Sequence, residues 1–121
     1  MYATTYAKAK DVADAVSQLK GADEGKLLAG GQTLIPTLKQ RLASSDCLID
    51  LSDAGLSGIS DEGGSIRIGA MTRHVEVETS ELVKKAIPAL ATLASGIGDR
   101  QVRNCGTIGG SVANNDPSAC Y

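Results

Sequence analysis

Lys26-Leu27-Leu28-Ala29-Gly30-Gly31-Gln32-Thr33-Leu34-Ile35-Pro36 passes from an apolar stretch of strand length, through two glycines, into residues with helical spacing. Leu34, Leu38 and Leu42 recur every four positions, and Lys39 and Arg41 face the other way. Pro36 fits a first helical turn, where its missing N–H is no loss. The stretch therefore reads strand, Gly-Gly turn, helix. Upstream, Val12, Ala15, Val16 and Leu19 keep helical spacing after Asp11, with Gly21 as the stop. Downstream, Cys47-Leu48-Ile49-Asp50-Leu51 reads as a second strand, closing a βαβ-like unit of about fifty residues.

Beyond Ser52 the pattern changes. Gly58-Ile59-Ser60 and Ser65-Ile66-Arg67-Ile68-Gly69, joined through Asp61-Glu62-Gly63-Gly64, read as a hairpin. Thr72 or Thr79 is expected to cap helices carrying Val75, Leu82 and Val83. Pro88 opens a further helix with Leu90, Leu93 and Ala94 on one stripe and Gly96 past its end. After Gly96-Ile97-Gly98 the chain is polar until Thr107-Ile108-Gly109-Gly110-Ser111, which reads as a second glycine loop. The fold class is α+β, with subdomains at residues 1–52 and 53–121.

The chain has 121 residues, and 12 Lys+Arg against 14 Asp+Glu leave a net charge of −2. Without a basic block it is a poor nucleic-acid binder. No apolar run approaches the roughly 20 residues that span a bilayer, and Met1-Tyr2-Ala3-Thr4-Thr5 lacks a secretory layout; a cytoplasmic location is expected. There is no Phe or Trp, and Tyr2, Tyr6 and Tyr121 lie near the ends. The core must therefore come from Leu, Ile, Val and Ala, and an aromatic-poor core of this size suggests an incomplete chain. The closing stretch Asp116-Pro117-Ser118-Ala119-Cys120-Tyr121 points the same way. Cys47, Cys105 and Cys120 form neither a CxxC pair nor a disulfide framework, and Cys47 reads as a buried inert thiol. His74 is the single histidine, which excludes a His-rich metal site, and no GxSxG context accompanies it. No catalytic or metal-ligating set is assigned.

The two glycine pairs carry the chemistry. Glycine lets a ligand approach the backbone and permits φ > 0, so successive N–H groups can converge on an anion. The N–H groups of Gly31, Gln32 and Thr33 would lie at a helix N-terminus, where the dipole favours phosphate, and Thr33 adds a hydroxyl. In the second pair Thr107 and Ser111 bracket the glycines, with Asn114 and Asn115 following. Neither pair holds Lys or Arg, and neither matches GxxxxGK[ST] or GxGxxG. Arg100 and Arg103 are either phosphate partners or a solvated pair. By chemistry alone this is a candidate dinucleotide-diphosphate site, with a plain turn at each glycine pair as the rival reading.

Ala29-Gly30-Gly31-Gln32-Thr33-Leu34-Ile35-Pro36, followed by Gln101-Val102-Arg103-Asn104-Cys105-Gly106-Thr107-Ile108-Gly109-Gly110-Ser111 and Asn115-Asp116-Pro117, closely resembles the FAD-binding medium subunit of molybdenum hydroxylases. The aerobic carbon monoxide dehydrogenase type is nearer and xanthine dehydrogenase more distant. The similarity runs from about Tyr6 to the last residue. It implies a two-subdomain flavin-binding fold of the PCMH type, here with an incomplete second subdomain. It also implies that Ala29, Gly30, Gly31, Gln32 and Thr33, with Thr107, Ile108, Gly109, Gly110 and Ser111, hold the FAD pyrophosphate. By the same resemblance Ile97 lies beside the flavin, and Asn115, Asp116 and Cys120 are further contacts. Two positions depart from the pattern: Cys120 stands where the family usually has an acidic residue, and Cys105 where it often has Arg. Family members are also considerably longer.

The resemblance implies an electron-transfer component. A molybdenum-cofactor large subunit would oxidise the substrate, a [2Fe-2S] small subunit would relay electrons, and FAD would pass them to an external acceptor. Two alternatives stand beside it: a non-enzymatic fragment that binds no flavin and serves as an assembly or interaction piece, and a flavin reductase of the cell-wall precursor type.

Overall fold

The computed structural model describes residues 1–121, which form two compact units, Met1–Leu56 and Ser57–Tyr121. The first holds strands β1 (Thr5–Lys8), β2 (Gly25–Leu28) and β3 (Cys47–Asp50) with helices α1 (Val12–Gly21) and α2 (Leu34–Lys39). All three strands are parallel, in the order β1-β3-β2, so Ala7, Ile49 and Leu27 stand in one row. Leu48 and Ile49 are consecutive, point to opposite faces, and are both buried, as a central parallel strand requires. Asp11 caps α1 by accepting from the Asp14 N–H at 2.7 Å, and Ala15 and Leu19 pack on Ile49 and Ala9. Cys47 is half-buried against the same cluster.

Helix α2 stops at Lys39 rather than running on to Leu42. Arg41 adopts φ 58°, in the left-handed region. The Leu42 N–H then returns to the Thr37 carbonyl and the Arg41 N–H to that of Leu38, both at 3.1 Å. This is a Schellman closure built without glycine, and it leaves Leu42 74% exposed.

The second unit begins with the antiparallel ribbon β4 (Ile59–Asp61) and β5 (Ile66–Ile68), turned at Gly63 and Gly64 with φ 70° and 129°. Five helices follow: α3 (His74–Thr79), α4 (Glu81–Ala86), α5 (Pro88–Ser95), α6 (Arg100–Cys105) and α7 (Ile108–Asn114). Val77, Val83, Ala91 and Ala94 form the core, with Ile59, Ile68, Leu90 and Tyr121 packed against them. Pro88 occupies the first turn of α5 and Gly96 caps its end, as the sequence predicts.

Neither expected threonine cap forms. Thr72 is fully buried; its hydroxyl accepts from the Gly58 N–H at 3.0 Å and lies 3.2 Å from the Gly58 carbonyl, tying the start of the ribbon to the segment before α3. Arg73 precedes α3, and Glu76 accepts from its N–H at 3.1 Å. Ser80, not Thr79, caps α4 by accepting from Val83 N–H. The polar stretch after Gly98 is helical, because Asp99 caps α6 through the Gln101 N–H at 2.7 Å.

Candidate functional site

In the first unit, the motif Ala29–Thr33 follows β2 and leads into α2. Ala29, Gly30 and Gly31 are half-buried, whereas Gln32 and Thr33 are exposed. Gly31 has φ 74°, and a Cβ placed there would stand 3.0 Å from Ile35 Cγ1 and 3.3 Å from Leu28 Cδ1. Here glycine is required by both the backbone angle and the space. The N–H groups of Gly31, Gln32, Thr33 and Leu34 donate to no other group of the chain, and the Thr33 hydroxyl makes no capping bond. Gln32 folds its amide back onto the Gly30 carbonyl at 3.1 Å. This stretch thus presents four unspent backbone donors and one hydroxyl at the start of a helix. That donor set suits an anion held by backbone amides.

The second unit treats its glycines differently. Thr107–Ser111 is not a loop: Thr107 is the N-cap of α7, and Gly109-Gly110 lie in its first turn. The amides there are already committed. Ile108 donates to Thr72 O at 3.0 Å, Gly109 to Ala70 O at 2.8 Å, Gly110 to Thr107 Oγ1 at 3.1 Å, and Ser111 to Thr107 O at 3.1 Å. Gly109 lies so close to Ala70 that a Cβ would meet its Cβ and carbonyl oxygen at 2.6 Å. The glycine at this position therefore seats α7 on the Ala70–Thr72 segment. What the motif can still offer a ligand is hydroxyl chemistry. The Thr107 oxygen accepts from Gly110 and keeps its own proton to donate, although Thr107 is 4% exposed. Ser111 Oγ donates to the Tyr121 carbonyl at 2.9 Å.

The remaining expected site residues also fall in this unit. Asn115 closes α7 with φ 52°, the left-handed cap conformation that Asn tolerates. Asp116 accepts from the Ser118 N–H at 2.9 Å, and Cys120 is exposed. Ile97 is half-buried, one residue past the α5 cap.

Two arrangements carried no sequence signal beyond residue type. Arg103, read as a phosphate partner or a solvated cation, is not solvated. Its Nη1 donates to the Ile97 carbonyl, and its Nε lies 3.4 Å from Glu78 Oε2. His74 is buried, its Nδ1 hydrogen-bonded to the Tyr121 hydroxyl with the two rings edge to face. Burial lowers the His74 pKa. Burial also pushes Tyr121 up to about 12, helped by the neighbouring Cys120 charge. Both groups are therefore neutral at pH 7 and serve packing, with Gly106 against the imidazole.

Residues 2–120 match the family described as the FAD binding domain in molybdopterin dehydrogenase. The carbon monoxide dehydrogenase medium chain of Afipia carboxidovorans is 43% identical over 114 residues, 93% of this chain and 40% of that one. The glyceraldehyde dehydrogenase medium chain of Sulfolobus acidocaldarius is 38% identical over 116 residues, 95% of this chain and 41% of that one. Among solved structures, the carbon monoxide dehydrogenase of Hydrogenophaga pseudoflava lacking the Mo-pyranopterin moiety superposes with a TM-score of 0.93 at 42% identity. The match covers 96% of this chain and 41% of that one. The chain spans about two fifths of the length of the curated relatives it matches. No helix is long and apolar enough to cross a membrane.

Proposed function

We propose, from the premise that this chain belongs to the family of FAD-binding domains in molybdopterin dehydrogenases, that it serves as the FAD-binding part of a molybdenum hydroxylase of the carbon monoxide dehydrogenase type. Each of the two units is one flavin-binding subdomain in this reading. FAD is the family's cofactor, and the residues present fit it. The observation that carries the assignment is the set of unspent N–H groups at Gly31, Gln32, Thr33 and Leu34. These amides, with Ala29 and Gly30 before them, cradle the diphosphate without a cationic side chain. Thr107 contributes a hydroxyl donor, Ile108, Gly109, Gly110 and Ser111 shape the surface beside it, and Asn115, Asp116 and Cys120 are further contacts. Ile97 lies beside the flavin.

When bound, FAD would supply the redox chemistry, taking up electrons from iron–sulfur clusters for delivery to an external acceptor. The chain's own residues bind and orient; none of them acts as acid, base or nucleophile. The partners in this reading are a molybdenum-cofactor large subunit and a [2Fe-2S] small subunit. The three free thiols suit a reducing compartment, and the reading places the protein in the cytoplasm.

Fluorescence titration with FAD, with ADP and riboflavin as competitors, tests the site. Saturable binding displaced by ADP and poorly by riboflavin is the expected result. Binding displaced equally well by riboflavin would remove the diphosphate cradle from the argument, and failure to bind FAD in the complete protein would remove the function.

A further inference from the structure

Ile97 sits between Gly96 and Gly98, in the connection from α5 to α6. Two flanking glycines leave that backbone free to take many conformations unless something holds it. Its N–H returns to the Ala94 carbonyl at 3.3 Å, and its own carbonyl accepts from Arg103 Nη1. Arg103 reaches back from α6 across the connection to make this bond. The guanidinium is fixed in turn by Glu78 on α3, with Nε to Oε2 at 3.4 Å.

This pair differs from the other two ion pairs. The Arg103 and Glu78 side chains are 16% and 26% exposed, whereas Lys8–Asp53 and Lys84–Glu81 are 48%/63% and 49%/91% exposed. Exposed pairs contribute little, but a largely desolvated guanidinium with two edges of its fork engaged is held in one geometry. Three elements meet at this side chain: α3 through Glu78, α6 through Arg103 itself, and the α5–α6 connection through Ile97.

We propose that Arg103, anchored by Glu78, is a positioning residue that fixes Ile97 in place beside the flavin. The proposal rests on the placement of Ile97 beside the flavin. Arg103 acts through the Ile97 backbone and does not touch the cofactor.

The test uses the complete protein with its cofactor and three variants: Ile97→Ala, Arg103→Met and Arg103→Lys. Readouts are the visible absorption bands of bound FAD, the dissociation constants of FAD and of ADP, and the melting temperature. Arg103→Met should raise the FAD dissociation constant about tenfold, leave that of ADP unchanged, and shift the flavin bands as Ile97→Ala does. Arg103→Lys, whose single ammonium cannot span both partners, should give a smaller shift in the same direction. If Arg103→Met does not fold, the Lys variant decides: a shifted spectrum supports the proposal and a parental one overturns it. A lowered melting temperature in Arg103→Met, with parental flavin bands and affinity while Ile97→Ala moves both, would make the pair purely structural. Parental flavin bands and affinity in Ile97→Ala would instead overturn the placement of Ile97, and the proposal with it.

Discussion

A methyl group added at Gly109 would stand 2.6 Å from both the Ala70 Cβ and its carbonyl oxygen, so the α7 seat would have to open. Gly109→Ala should therefore destabilise the protein by about 2 kcal/mol or more, read as a lower urea midpoint. Gly21→Ala is the matched control. It meets nothing within 4 Å, lies at the end of α1, and should be neutral or stabilising by up to about 1 kcal/mol. The His74–Tyr121 contact gives a second prediction at this scale. Because burial lowers the folded-state His74 pKa, the unfolded chain binds more protons below its ordinary value. Stability should thus fall as pH drops below about 6.5. Tyr121 works at the other end: with its folded pKa at about 12, stability should decline as pH rises from the ordinary tyrosine value of about 10. Tyr121→Phe should reduce the alkaline slope, leaving the part owed to Tyr6, whose phenol pKa is raised by its hydrogen bond to Asp50, and, by orphaning the buried imidazole, cost about 1–3 kcal/mol at neutral pH. Urea melts across pH check all three statements.

At the scale of elements, caps decide where the helices of the second unit start. Thr107→Val removes the hydroxyl that accepts from Gly110 N–H and should cost about 1–2 kcal/mol, while Thr107→Ser should retain most of it. Chemical unfolding of the two variants separates the cases. Sequence reading succeeded where an apolar repeat met a clear stop, as in α1, β3, the ribbon and α5. It overlooked β1 because Thr5, Tyr6 and Lys8 are exposed and leave no alternation to see. It overlooked α6 because that helix buries no residue, so no apolar stripe marks it. The second glycine pair read as a loop because two glycines argue against helix; the cap at Thr107 and the seat on Ala70 override that propensity. The first motif was legible in local order, strand to turn to helix, because its donors are set by neighbours in sequence. The Glu78–Arg103–Ile97 linkage was not, since it depends on α3 and α6 meeting in space.

For the whole molecule, cofactor binding and folding are one linked equilibrium. FAD at about a hundredfold its dissociation constant should add about 2.7 kcal/mol to the stability of the complete protein. Differential scanning fluorimetry with FAD, ADP and riboflavin checks it: FAD and ADP should raise the melting temperature, and riboflavin should do so far less. The same titration weighs the rival reading of a fragment that binds no flavin, for which none of the three would move the transition.

The strand order β1-β3-β2 also has a consequence for biosynthesis. The two strands made first, Thr5–Lys8 and Gly25–Leu28, never pair with each other; each pairs only with Cys47–Asp50. A nascent chain leaving the ribosome therefore carries two unpaired strand edges until Asp50 has emerged, and the sheet closes in a single late event around its last-made member. During that interval both edges are open to other chains, so chaperone occupancy on translating ribosomes should be concentrated before the central strand appears.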